Sequence, residues 1–250
     1  MCNQYTSTPA PRLALKFKVA APEKPYAALI SPLGAAPFIT LESGAVVGQW
    51  GMIPPDSATR IPRTTLGKRL STNNARREGM AKSWTFGGAW QKGQRCLIPA
   101  DVFYEPNWES GAHVRWRFQR ADGDPWALAG LWSTWTDPET GEIVPNFTLI
   151  TQNCDAHPLL SRMHKPDPRF APELQDKRAV VPVERAQWDE WLGGSREQAE
   201  RLIRLPALDL FDDGPAEPPG PSKPPLKSPA KLPAKQPVTS TAPDPQGCLF

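Results

Sequence analysis

Between residues 44 and 183 the chain breaks into seven short runs rich in β-branched and aromatic residues, separated by turn residues such as Pro106, Gly111, the Asp122-Gly123 pair and Gly141. Runs of this length and composition fit strands better than helices, so the spacing commits the fold to a sheet. The expected strands cover 44–54, 95–99, 102–104, 113–119, 127–135, 146–151 and 179–183. The stretch His113-Val114-Arg115-Trp116-Arg117-Phe118 alternates strictly, with Val114, Trp116 and Phe118 on one face and Arg115 and Arg117 on the other. That pattern predicts a half-buried antiparallel strand.

Helical signals are fewer. One segment starts near Asn73 and another covers 158–163. Two more close the domain: 184–192 spaces Trp188, Trp191 and Leu192 at three and four residues, and Ser195-Arg196-Glu197-Gln198 is a capping box opening a helix to about Arg204. The fold class is therefore α+β, on an antiparallel or mixed sheet.

The folded part has an end. Eleven of the 31 residues from Pro215 to Pro245 are proline, with Lys, Ala and Ser as the main remainder. This predicts one domain over 2–212 and a disordered, semi-extended tail over 213–250. Ten tryptophans and nine phenylalanines supply the core. With no run of 18 apolar residues and no basic-plus-apolar leader, the expectation is a soluble cytoplasmic protein without membrane contact. Four cysteines at 2, 96, 154 and 248 are too scattered for a disulfide framework or zinc ribbon. Cys154 and His157 form a lone C-x-x-H without a second pair, so no metal or other cofactor is expected. A formal charge of +3 permits nucleic-acid binding through a local patch without demanding it.

Cys2 is the chemical signal. Removal of Met1 makes it the first residue, with an α-amine and a thiol on one carbon skeleton. Ordinary pKa values of about 7.7–8.0 for the amine and ~8.5 for the thiol leave both groups partly nucleophilic near neutral pH. Together they trap an aldehyde twice, as an imine and then as a five-membered thiazolidine.

Cys2 acquires context from Trp50-Gly51-Met52-Ile53-Pro54, Asn74-Ala75-Arg76, Arg95-Cys96-Leu97-Ile98-Pro99-Ala100, Phe103-Tyr104-Glu105, and Thr148-Leu149-Ile150-Thr151 followed by His164. In this order and spacing they resemble the SOS-response-associated peptidase (SRAP) family, the abasic-site processing proteins, over about residues 2–205. The resemblance implies a single domain with a barrel-like sheet and flanking helices. It also implies that Cys2, exposed by self-directed removal of Met1, crosslinks to the ring-opened aldehyde of an abasic deoxyribose in single-stranded DNA. The resemblance further implies strand incision by β-elimination as an associated activity.

The resemblance places Cys2, Asn74, Glu105 and His164 in the catalytic set. Glu105 ends an aromatic strand where desolvation would raise its pKa for proton shuttling. Asn74 holds the N-terminus or the sugar, or else a helix N-cap is formed there by Asn73. Relatives place the histidine in His-x-Arg-Met-Pro. Here Arg162-Met163 precedes His164 and an insertion follows, with His157 as rival. Asn3-Gln4 stands where many relatives have Gly-Arg, and Asp56 where they often have tryptophan, weakening one phosphate contact and one stacking contact. For DNA binding, Arg76 and Arg178 are carried over from the motif, while Arg77, Arg162 and Lys165 are added for their proximity to the chemistry. Trp50 either stacks on bases or packs in the core.

The last residues, Gln246-Gly247-Cys248-Leu249-Phe250, resemble the Gln-x-x-Leu-Phe peptides with which bacterial repair proteins dock on the sliding clamp. Gln246, Leu249 and Phe250 would make the contact, at the end of an arm reaching on the order of 100 Å. The expected protein is a monomer on DNA, at damaged sites of the nucleoid. Two other classes stay open: a thiol peptidase acting on other proteins, and a non-enzymatic single-strand DNA and clamp adaptor.

Overall fold

The computed structural model describes residues 2–216. Eleven strands form one mixed sheet. They are β1 (Gln4–Ser7), β2 (Leu29–Ile30), β3 (Ala35–Thr40), β4 (Gly44–Trp50), β5 (Asn74–Arg76), β6 (Arg95–Asn107), β7 (Val114–Arg120), β8 (Trp126–Thr136), β9 (Ile143–Asn153), β10 (Arg178–Val180) and β11 (Phe211–Pro215). Five helices accompany them: α1 (Ala10–Phe17), α2 (Arg77–Met80), α3 (Gly87–Gln91), α4 (Trp188–Gly193) and α5 (Arg196–Leu202).

Five strands close a ring. β3 pairs with β4 and β6, β6 with β8, β8 with β9, and β9 runs parallel to β4 through Gln49↔Asn146 and Trp50↔Phe147. Closure leaves the barrel without a free edge. One of its seams needs a residue without a side chain. A Cβ on Gly48 would lie 2.5 Å from the Pro145 carbonyl oxygen and 2.8 Å from the Phe38 ring.

Alternation sorts side chains into two layers. Phe38, Trp50, Ile98, Leu128, Phe147 and Leu149 pack in one cluster contributed by all five barrel strands. Ile39, Leu97, Ala129 and Ile150 point the other way and are covered by Leu13 and Phe17 of α1, Trp90 of α3, Trp191 of α4 and Ala199 of α5.

The expected strands at 95–99 and 102–104 are one continuous strand, β6, which changes partner along its length. Arg95 to Ala100 pairs with β8 and Phe103 to Asn107 with β7. β1 also pairs with β6, with a register shift between Thr6 and Ser7. β6 therefore leaves the barrel carrying Glu105. The alternating segment is β7, antiparallel to β6 and β11 as its pattern predicts.

The helix expected from Asn73 is absent: Asn74 to Arg76 pairs in parallel with Leu149 to Thr151, and α2 starts only at Arg77. The β9 edge, distant in sequence, outcompetes the local helical signal. The 158–163 segment is shorter than expected, a 3-10 turn at Leu160–Arg162. α5 begins as predicted, with Ser195 and Gln198 making both capping-box hydrogen bonds. β11 runs to Pro215, past Asp212, and packs Phe211 against Phe118 and Trp126.

Candidate active site

β1 aligns Gln4 with Tyr104 of β6, which brings the chain start beside Glu105. Two adjacent asparagines hold it there. The Asn74 Nδ2 donates to the Cys2 carbonyl oxygen at 2.7 Å, and the Asn73 Nδ2 donates to the same oxygen at 3.3 Å and to the Asn3 Oδ1 at 3.1 Å. Asn73 thus grips Cys2 with its side chain instead of capping a helix. The Asn74 Oδ1 is buried and accepts no hydrogen bond within the described residues. The Cys2 side chain is wholly buried, and its thiol donates weakly to the Gln4 carbonyl at 3.4 Å. Burial, reinforced by the Glu105 charge, pushes the thiol up to about 12.

Glu105 is 3% exposed, and desolvation raises its carboxyl to about 7 against the opposing pull of the positive amino terminus. The His164 Nε2 lies 3.2 Å from the Glu105 Oε2 and 3.2 Å from the Arg178 carbonyl oxygen. His164 has a positive φ of 65°, held because its backbone N–H donates to Pro106 at 2.6 Å. Burial lowers its imidazole to about 3, so the ring is neutral at physiological pH. His157 is occupied elsewhere. Its Nδ1 accepts from the Leu159 and Leu160 backbone N–H groups at 3.2 and 3.0 Å, and its Nε2 lies 3.0 Å from the Pro206 carbonyl. Nδ1 accepting leaves Nε2 as the donor, which makes His157 a brace for the turn it precedes.

Two cavities meet at His164. One, about 380 Å³, is lined by Asn3, Gln4, Tyr104, Glu105, Pro106, His113, Arg115 and His164. The other, about 330 Å³, includes Trp108, Glu109, Arg162, Phe170 and Lys177. Among the described residues no group of three or more His, Cys, Asp or Glu side chains is arranged to hold a metal ion.

The arrangement is a buried Cys2 thiol beside a carboxyl raised to about 7 and a neutral imidazole. The profile of the SOS response associated peptidase (SRAP) family matches residues 1–211. This chain belongs to the SRAP family. A solved protein of Bordetella bronchiseptica is 32% identical, with a TM-score of 0.76 over 86% of this chain and 100% of that one. A Bacteroides thetaiotaomicron protein at 17% identity shares the fold, with a TM-score of 0.69. The abasic site processing protein HMCES of Gallus gallus is 27% identical over 174 residues, 62% of this chain and 48% of that protein. The abasic site processing protein YoqW of Bacillus subtilis is 27% identical over 135 residues, 54% of this chain and 56% of that one. The chain spans about half the length of the curated relatives it matches.

The four arginines expected to meet DNA are held by carboxylates. Arg76 pairs with Asp176 at 3.0 Å, Arg77 with Glu200 at 2.8 Å and Arg162 with Glu109 at 2.6 Å. Arg178 is buried and pairs with both Glu78 and Asp176. Lys165 is exposed, 5.2 Å above the Trp108 ring. Trp50 resolves to the core. It is fully buried, its indole N–H donates to the Asn73 carbonyl at 2.8 Å, and its ring meets the edge of Tyr5. With no exposed face it cannot stack on a base in this conformation. Asp56 has its own task, accepting from the indole N–H of Trp84 at 2.8 Å, and Trp84 is 70% exposed. Asn73, Trp84 and Arg115 are the residues that motif reading passed over. Gln246, Leu249 and Phe250 lie outside the described residues.

No described helix is long and apolar enough to cross a membrane.

Proposed function

We propose that this SRAP protein processes abasic sites in single-stranded DNA by forming a covalent thiazolidine through Cys2 after Met1 is removed. The observation carrying this reading is the hold of Asn73 and Asn74 on the Cys2 carbonyl, which fixes residue 2 beside Glu105.

Hydrolysis of the Met1–Cys2 bond releases methionine and frees the amine. The amine adds to C1′ of the open-chain sugar. Protonated Glu105 gives its proton to the departing hydroxyl, water leaves, and an iminium remains. Glu105, now a carboxylate, takes the thiol proton, and the sulfur closes on the same carbon. One C–N and one C–S bond form, one water leaves, and Glu105 returns to its starting state. A carboxyl near 7 suits both directions of transfer. The Nε2–H of His164 is oriented by the Arg178 carbonyl, which makes Nδ1 its basic nitrogen, suited to proton transfer as the sugar ring opens. The iminium is also the intermediate from which β-elimination would incise the strand.

A thiol held near 12 does not suit a peptidase acting on other proteins, which needs a thiolate at neutral pH. Here the sulfur acts second, on an activated iminium.

Intact mass spectrometry of the purified protein tests the reading, with and without an abasic single-stranded oligonucleotide and alongside Cys2→Ala. Loss of Met1 and a Cys2-dependent adduct are expected; retained Met1 and no adduct would overturn it. The terminal Gln246 to Phe250 peptide is proposed to dock on the sliding clamp, and its deletion should abolish affinity for purified clamp.

A further inference from the structure

This inference rests on the proposed abasic-site function and identifies how the substrate strand is gripped. Arg115 lines the same cavity as Glu105, His164 and Gln4. Its guanidinium carbon lies 3.6 Å from the centroid of the Tyr104 ring, a stacked cation–π contact. The ring is itself anchored, with the Tyr104 hydroxyl 3.0 Å from the Thr6 Oγ1. On β7 Arg115 pairs with Pro106, the residue after Glu105.

What distinguishes Arg115 is its missing acceptor. Its Nε and Nη2 are buried and hydrogen-bonded to nothing within the described residues. Other arginines of the fold have carboxylate partners: Arg117 pairs with Asp212, Arg120 with Asp122 and Glu184, Arg162 with Glu109, and Arg178, although its Nε is also buried without a partner, with Glu78 and Asp176. An enclosed guanidinium without an acceptor carries a desolvation cost that an incoming anion relieves. Stacking on Tyr104 fixes the plane of the fork, and a planar fork of donors matches two oxygens of a phosphate.

We infer that Arg115 is a phosphate-binding residue, taking the backbone phosphate that flanks the abasic sugar. Gln4 and Arg115 lie on the walls of one cavity, and the charge is supplied from β7.

The test separates binding from chemistry. A single-stranded oligonucleotide with one tetrahydrofuran abasic analogue lacks the aldehyde, so its affinity reports the grip alone. Arg115→Ala is expected to weaken this binding about tenfold at low salt. It should also reduce the slope of log affinity against log salt by about 0.7, the value for one phosphate on a single strand. As a second arm using the unaltered protein, each phosphate within three nucleotides of the lesion is replaced in turn by methylphosphonate. One position should weaken wild-type binding and leave Arg115→Ala unaffected. Equal affinity and salt slope for Arg115→Ala and wild type, with no sensitive phosphate, would overturn the assignment while wild-type crosslinking left the function standing. Failure of the wild-type protein to crosslink would overturn the function itself.

Discussion

The His164 Nε2 and the Glu105 Oε2 are 3.2 Å apart in a site where burial works against both charges: it lifts the carboxyl to about 7 and drops the imidazole to about 3. An ion pair would instead have driven the two pKa values apart the other way, with carboxylate down and imidazolium up. Desolvation wins, and at physiological pH the site holds a neutral imidazole beside a carboxyl poised between its protonated and ionised forms.

Glu105→Gln should be more stable than wild type at alkaline pH. The native carboxyl titrates near 7 and the unfolded one near 4.5, so the native state holds the extra proton between these values. Its stabilising contribution is complete below about 4.5 and is lost as pH rises through 7. The difference of 2.5 units corresponds to roughly 3 kcal/mol. Urea unfolding at pH 4 and pH 8 should show the variant's advantage only at pH 8, while its crosslinking rate falls by roughly 10²–10⁴. A constant advantage at both pH values would contradict the raised carboxyl.

Cys2, Cys96 and Cys154 should resist alkylation, since all are buried and burial raises each thiol. With Met1 still attached, the folded protein at pH 8 should label at Cys2 about a thousandfold more slowly than the urea-unfolded protein, because a thiol near 12 is almost never ionised there. Peptide mapping after timed iodoacetamide exposure reads this directly. Rapid labelling of Cys2 would place its sulfur in solvent.

Trp50→Phe separates core from nucleic-acid contact. Loss of the indole hydrogen bond to the Asn73 carbonyl, which keeps the Leu149 backbone N–H as its remaining donor, should cost about 1 kcal/mol. Affinity for single-stranded DNA should change less than twofold. A tenfold loss of affinity with unchanged stability would mean that Trp50 meets the bases.

Gly48→Ala probes barrel closure. The added methyl meets the Pro145 backbone, which has no rotamer to yield, as well as the Phe38 ring. A loss of about 3 kcal/mol is expected, or roughly 6–12 °C in Tm by calorimetry. Gly79→Ala, whose Cβ meets nothing within 4 Å, is the control and should not fall in the same way.

The local features of this fold were legible in its sequence wherever one segment decides its own conformation. The alternation in β7 and the Ser195 capping box are of that kind. The motif order also located Cys2, Asn74, Glu105 and His164, which the fold brings to one end of β6. Long-range pairing was not legible. Asn74 to Arg76 becomes a strand because of β9, some 75 residues away. α1 was missed because its eight residues carry only Leu13 and Phe17 as a buried pair. The fate of a charge was equally hidden, since Arg178 and Arg115 look alike in sequence and differ only in which carboxylates the fold sets beside them.

The hydrogen bond from the His164 imidazole to the Arg178 carbonyl joins the two ends of the 165–177 loop. Both ends have further anchors, Met163 bridged to Asn107 and Arg178 paired to Asn153. The segment between them is therefore a detour whose endpoints are set by the sheet and not by its own contour. Residues 165–175 can therefore lengthen, shorten or change character while the imidazole stays at its post; Asp176 and Lys177, which hold Arg76, Arg178 and the His164 carbonyl, lie outside that freedom.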